Sequence, residues 1–140
     1  MNREIKFRGK NKDIGWVEGQ VAYDLNEDTY IIREVEQDSS YGLEEAMLFA
    51  IMWYRVDKET IGQYTGLKDE NGKEIYRGDI VQGLFADQEE SEIKGQVIYS
   101  KGQASYIVIA SNNDEWELGY LDNLEVIGNI YDNPELLGGE

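Results

Sequence analysis

The sequence predicts a mainly β protein with little helix, and three observations carry that reading. Apolar and polar residues alternate with period two in short runs. Gly, Asn and Asp separate those runs at spacings of roughly ten residues. Val, Ile, Tyr and Trp are concentrated inside the runs, where a pleated, half-buried surface suits them.

The elements follow in order. Glu4–Arg8 alternates charged Glu4, Lys6 and Arg8 with Ile5 and Phe7, placing the charges on one exposed strand face and the apolar pair inward. Gly15–Tyr23 and Thr29–Val35 are the next strands, and Leu25-Asn26-Glu27-Asp28 between them reads as a hairpin loop. Leu43–Trp53 departs from the pattern. Leu43, Met47, Ala50 and Tyr54 stand near helical spacing with Ser39 or Ser40 as a cap, although a buried strand entered from a loop fits too. One helical turn at about 43–48 followed by a strand, Ile51–Val56, is expected. Thr60–Tyr64 then closes a β-rich N-terminal subdomain, residues 1–65.

Residues 66–78 form a polar, turn-rich connector. Asn71-Gly72 favours a turn with positive φ at both positions. Gly78-Asp79 marks a sharp strand entry, in which Gly permits the bend and the Asp carboxylate can accept from nearby backbone amides. Asp79–Phe85, Gly95–Tyr99, Ser105–Ala110, Glu115–Leu121 and Leu124–Tyr131 follow, with Lys101-Gly102 as a hairpin turn. Their number and length suit a C-terminal SH3-type β-barrel within residues 79–140. Asn133 at a cap, Pro134 at a first helical position and Leu136-Leu137 predict a short closing turn of helix.

Three stretches resemble the YopX-type phage proteins. The first is Glu59-Thr60-Ile61-Gly62-Gln63-Tyr64-Thr65-Gly66-Leu67-Lys68-Asp69, continued by Asn71-Gly72-Lys73-Glu74-Ile75-Tyr76 and Gly78-Asp79-Ile80-Val81. The second is the ending from Glu125 to Leu137, and the third is the opening from Arg3 to Lys10 followed by Trp16. The resemblance spans essentially the whole chain. It implies a small protein of a bacteriophage or prophage, with an SH3-type barrel behind a smaller β-rich part. It implies no activity and carries over no catalytic or binding residue, because the family's function is unknown. The stretch Asp38–Met52 departs from the family pattern.

Composition narrows the chemistry. At 140 residues the chain is long enough for one domain or two small subdomains with a real core. Thirteen Lys and Arg against 29 Asp and Glu give a net charge of −16. A general polyanion binder needs a net basic face, so direct nucleic-acid binding is disfavoured, as is an anionic membrane surface. Residues 1–60 carry 8 basic and 13 acidic side chains and residues 61–140 carry 5 and 16, so the halves sum to −5 and −11. Arg3, Lys6, Arg8, Lys10 and Lys12 make the start a small positive patch. With no Cys and no His, disulfides, thiolate nucleophiles, zinc sites of the usual type and a Ser-His-Asp triad are excluded. Met1–Lys12 is polar and the longest apolar stretch, Ala46–Tyr54, is too short for a membrane span, so a soluble protein of the bacterial cytoplasm is expected.

No constellation reaches a catalytic motif. Asp24, Asn26 and Asp28 match the start of a calcium loop, but Thr29 stands where Gly is required and Val35 where a bidentate Glu belongs. Asp69-Glu70-Asn71-Gly72 reads as a turn, and the carboxylates of Asp87, Glu89, Glu90 and Glu92 as a solvated loop. Phosphate-binding glycine motifs are absent, so no cofactor and no metal is expected. Trp16, Tyr30, Tyr99, Tyr106 and Trp116 lie inside strands, where aromatics serve as core or cross-strand partners. The expectation is therefore a non-enzymatic module that binds a host or phage protein, with homo-oligomers left open. The alternative is a nucleic-acid-associated protein, acting as an acidic DNA mimic or through the basic N-terminal strand. Partner contact is expected in Gln63–Asp79, at Tyr64, Leu67 and Tyr76, where the family match is densest and the two predicted subdomains join. A purely structural turn would use the same residues.

Overall fold

The computed structural model describes residues 4–36, 49–85 and 88–138. They form two antiparallel sheets with very little helix, and the chain divides into two compact units.

The unit Lys6–Ile61 holds β1 (Phe7–Asn11), β2 (Gly15–Tyr23), β3 (Thr29–Glu36), β4 (Phe49–Arg55) and the start of β5 (Asp57–Lys68). Its strand order is β4-β3-β2-β1-β5. Val17, Ile31 and Val56 are its buried centre, with Phe7, Val21, Tyr54 and Ile61 packed around them. Gly9 keeps β1 close to that centre, since a Cβ there would meet Val56 Cγ2 at 2.8 Å.

The first strand differs from the expected Glu4–Arg8. It begins at Phe7, Ile5 is exposed, and Arg8 is only 8% exposed. The Arg8 guanidinium lies 4.5 Å from the centre of the Trp16 ring. A planar, weakly hydrated cation on an aromatic face overrides simple charge-out alternation. The hairpin loop stands where expected. Asp24 Oδ1 accepts from the N–H groups of Asn26 and Asp28 at 2.9 Å each, and Asp24 Oδ2 accepts from the Tyr30 hydroxyl at 3.2 Å. Burial and the bond to Asp24, reinforced by the Asp24 and Asp28 charges, push the Tyr30 hydroxyl pKa up. Asp24→Asn should therefore lower the Tyr30 titration midpoint, followed by the ring's NMR shifts. An unmoved midpoint would show that the carboxylate does not set it. The helical turn expected at 43–48 lies outside the described residues; the strand after it is β4.

The other unit takes in Glu4, Ile5 and the chain from Gly62. It holds the rest of β5, then β6 (Glu74–Tyr76), β7 (Asp79–Phe85), β8 (Gln88–Ser100), β9 (Ser105–Ile109), β10 (Glu115–Glu117) and β11 (Leu121–Asn129), and ends in the four-residue helix α1 (Glu135–Gly138). The five-stranded sheet runs β10-β9-β8-β7-β11. Ile75, Val81, Ile93, Val97, Val108, Leu118, Leu121 and Leu124 fill its core. β10 and β11 are the sheet's two edges, and among the described residues no pairing joins them. Among the described residues the sheet does not close into a barrel, so the expected SH3-type barrel stands only as a five-stranded antiparallel sheet. The strand expected at Glu115–Leu121 is cut to three residues by a 3-10 turn, Leu118–Tyr120, which leads into β11.

Turn chemistry follows the sequence with two corrections. Gly72 has φ 84° but Asn71 stays out of the left-handed region, so positive φ is not needed at both positions. The Gly72 N–H donates to the Asp69 carbonyl at 2.9 Å, and a turn with Asp first and Gly fourth results. At the C-terminus, Asn133 Oδ1 accepts from the Asn129 N–H at 3.2 Å, tying the side chain back to the end of β11. The turn into α1 is closed by the backbone bond from Leu136 N–H to the Asn133 carbonyl. Gly78 has φ 97°, and Asp79 Oδ2 accepts from the Tyr76 N–H at 2.8 Å, as the sharp strand entry requires. Among the described residues no helix is long and apolar enough to cross a membrane.

Candidate functional site

The expected contact residues fall in different environments. Tyr64 and Tyr76 are cross-strand partners on β5 and β6, with ring centres 5.5 Å apart and planes tilted by 40°. They are 5% and 2% exposed, so Tyr76 belongs to the core rather than to a surface. Leu67 is 41% exposed. The register explains the contrast. β5 pairs Tyr64 with Tyr76 and Lys68 with Glu74, so it has more residues than β6 between the two pairs. The surplus residues bulge, and Gly66 takes φ 92° there. Bulges re-aim side chains, and this one turns Leu67 outward.

Beyond the bulge, Asp69 anchors the chain. Its buried carboxylate accepts from the N–H groups of Asn71, Lys73 and Val126 at 2.9, 2.9 and 3.0 Å. Burial pulls its pKa upward, but the bonds from Val126, Lys73 and Asn71, together with the Lys73 charge, outweigh it and hold the pKa below the usual carboxylate value. The Glu70 N–H donates to the Leu124 carbonyl at 2.9 Å. The connector is thus tied to β11 at two adjacent residues, and the Leu67 position is held by them.

Leu67 opens onto a groove of about 720 Å³. β5 lines it continuously from Tyr64 to Lys68, and Tyr99, Tyr106, Glu117 and Leu118 contribute from β8, β9, β10 and the 3-10 turn. Tyr99 and Tyr106 are cross-strand partners meeting edge to face at 5.1 Å, and Tyr99 is 46% exposed. The Tyr106 hydroxyl donates to Gln63 Oε1 at 3.4 Å, and the Ser105 hydroxyl to Glu117 Oε1 at 3.1 Å. These bonds fix the tyrosine pair and the carboxylate without covering Tyr99. Sequence reasoning treated Tyr99 and Tyr106 as ordinary strand aromatics. Their pairing follows from a four-residue turn, Lys101–Ala104, which sets Ser100 opposite Ser105 and Tyr99 opposite Tyr106; neither the register nor the open face was legible in the sequence.

The Asp24 carboxylate is occupied by the amides of its own turn. Among the described residues no group of three acidic side chains is placed to hold a metal ion.

Fold and site together define a small antiparallel β protein with a tyrosine-lined groove. The chain belongs to the YopX protein family, whose pattern matches residues 6–138. The crystal structure of protein YopX from Bacillus subtilis is similar, with 21% identity, a TM-score of 0.54 and 99% of each chain covered. Protein EF1440 from Enterococcus faecalis is similar at 23% identity and a TM-score of 0.48, covering 97% of this chain and 99% of that one. No curated protein matches.

Proposed function

We propose that this is a non-enzymatic bacteriophage or prophage accessory protein that binds another protein through the tyrosine-lined groove. The observation that carries the reading is the exposure of Leu67 and Tyr99 on one groove whose neighbours Tyr64 and Leu118 are buried. Rigid aromatic side chains at the rim of a packed pocket are the usual anchors of protein interfaces. The phage context and a cytoplasmic location rest on the family resemblance and on the composition. An SH3-type barrel remains the finer reading of the five-stranded sheet, supported by β11 returning beside β7 after the β7-β8-β9-β10 meander.

The nucleic-acid reading has less support. Lys10, Lys12, Arg55 and Lys58 line a second groove, in the unit Lys6–Ile61, but Asp13, Glu27, Asp28 and Asp57 line it as well. Arg55 is already paired with Asp28 at 2.8 Å. Phosphate binding needs an excess of positive charge that this balance does not provide.

The test is affinity purification from lysogenic host cells with wild type, Leu67→Ala and Tyr99→Ala. Both side chains are partly exposed, so each variant should stay folded, with Tyr99→Ala losing about 0.5–1.5 kcal/mol from its edge-to-face contact with Tyr106. Each should weaken the recovered protein partner at least about tenfold. A partner held equally well by both variants, or a salt-sensitive complex with nucleic acid, would overturn the reading.

A further inference from the structure

Resting on that reading, we infer that the groove takes a cationic, extended peptide segment of its partner, with arginine stacking on Tyr99. Three features converge. The first is electrostatic. The chain from Gly62 onward carries 5 basic and 16 acidic residues, net −11. Within the groove Glu4 and Glu117 face a single cation, Lys68. The groove therefore carries a net charge of −1 within a strongly acidic stretch of chain, and that field draws cationic segments and repels acidic ones.

The second feature is chemical. Tyr99 is the most exposed of the groove's large apolar side chains, and Tyr106 braces it edge to face. A guanidinium stacks on a tyrosine face and reaches a neighbouring carboxylate in the same pose. Glu117 stands in the same groove, half-buried, its Oε1 held by the Ser105 hydroxyl. A preplaced carboxylate loses little freedom when it meets a cation.

The third is shape. The β5 run Tyr64–Lys68 lines the groove without a break, and five residues of strand extend roughly 16 Å. That length fits a short extended segment. The bulge at Gly66 and Leu67 interrupts regular pairing along this run, so side-chain pockets, rather than a backbone ladder, select the occupant.

The test uses the full chain and three synthetic peptides about ten residues long, identical except for Arg, Gln or Glu at the same alternate positions. Backbone amide NMR shifts report where each one binds. The Arg peptide should shift Leu67, Tyr99, Tyr106 and Glu117, bind at least about tenfold tighter than the Gln peptide, and weaken as salt is raised. The Glu peptide should leave these amides unmoved. Glu117→Gln, which keeps an acceptor for Ser105, should weaken the Arg peptide severalfold without lowering Tm. If the Gln peptide shifts the same amides with equal affinity, the cationic inference falls and the groove stands. If no peptide shifts the groove amides, the groove reading falls with it.

Discussion

Tyr76→Ala is expected to destabilise the protein by about 3–5 kcal/mol, the range for emptying a fully buried aromatic site. The ring is 2% exposed and lies against Tyr64, and the same residue's N–H is held by Asp79. Tyr76→Phe separates the ring from its hydroxyl. That hydroxyl donates to Glu74 Oε1 at 3.0 Å, so its removal should cost only about 0.5–1.5 kcal/mol. Tyr64→Ala should resemble Tyr76→Ala, and the double variant should be less destabilised than the sum by about 0.5–1.5 kcal/mol, the coupling of a tilted aromatic pair. Chemical denaturation measures all four. A Tyr76→Ala protein with wild-type stability would show that the ring is not a core element. The pair therefore shapes the groove from behind, while Leu67 and Tyr99 present surface to a partner.

What could be read from the sequence divides along a physical line. β2 and β7 run from Gly15 to Tyr23 and from Asp79 to Phe85, as the alternation predicts. Each is entered through a glycine at positive φ, Gly15 at 88° and Gly78 at 97°, so local chemistry alone sets the start. β8 is longer than its apolar part. The carboxylates of Asp87, Glu89, Glu90 and Glu92 read as a solvated loop, yet β8 begins at Gln88 and Glu92 pairs with Leu84 of β7. A neighbouring strand's hydrogen-bond ladder decides that segment, and composition does not reveal it. Arg8 shows the same limit at one residue, because its burial depends on Trp16 coming within reach. The candidate site was half legible. The segment Gln63–Asp79 carries Tyr64 and Leu67 into the groove, but Tyr76 points to the core, since β5 and β6 pair at Tyr64 and Tyr76. Tyr99, Tyr106 and Glu117 arrive from distant strands and needed the sheet order to be seen.

Asp69→Ala should cost about 3 kcal/mol or more, because it strips the acceptor from three backbone N–H groups at once. The residue is buried, so water does not readily replace the lost acceptor. Asp69→Asn is the sharper probe. The amide oxygen can still accept from one side, but its NH2 meets a backbone donor on the other, so a loss of about 1–3 kcal/mol is expected at neutral pH. The pH dependence has a definite sign. Folding lowers the Asp69 pKa below its ordinary 3.8, so its contribution is complete above that value. It is lost as pH falls through the lower, folded pKa. The many other carboxylates also titrate there, which makes the difference between wild type and Asp69→Asn the informative quantity. That difference should be constant from neutral pH down to the ordinary carboxylate range and shrink below it. Denaturation at a series of pH values measures it. A gap that stays the same size through the acid range would mean that the charge of Asp69 is not what its three amides recognise. A gap that closes would identify this carboxylate as the anchor of the connector, and would predict that amide signals of Leu67 and Lys68 change before the core strands do.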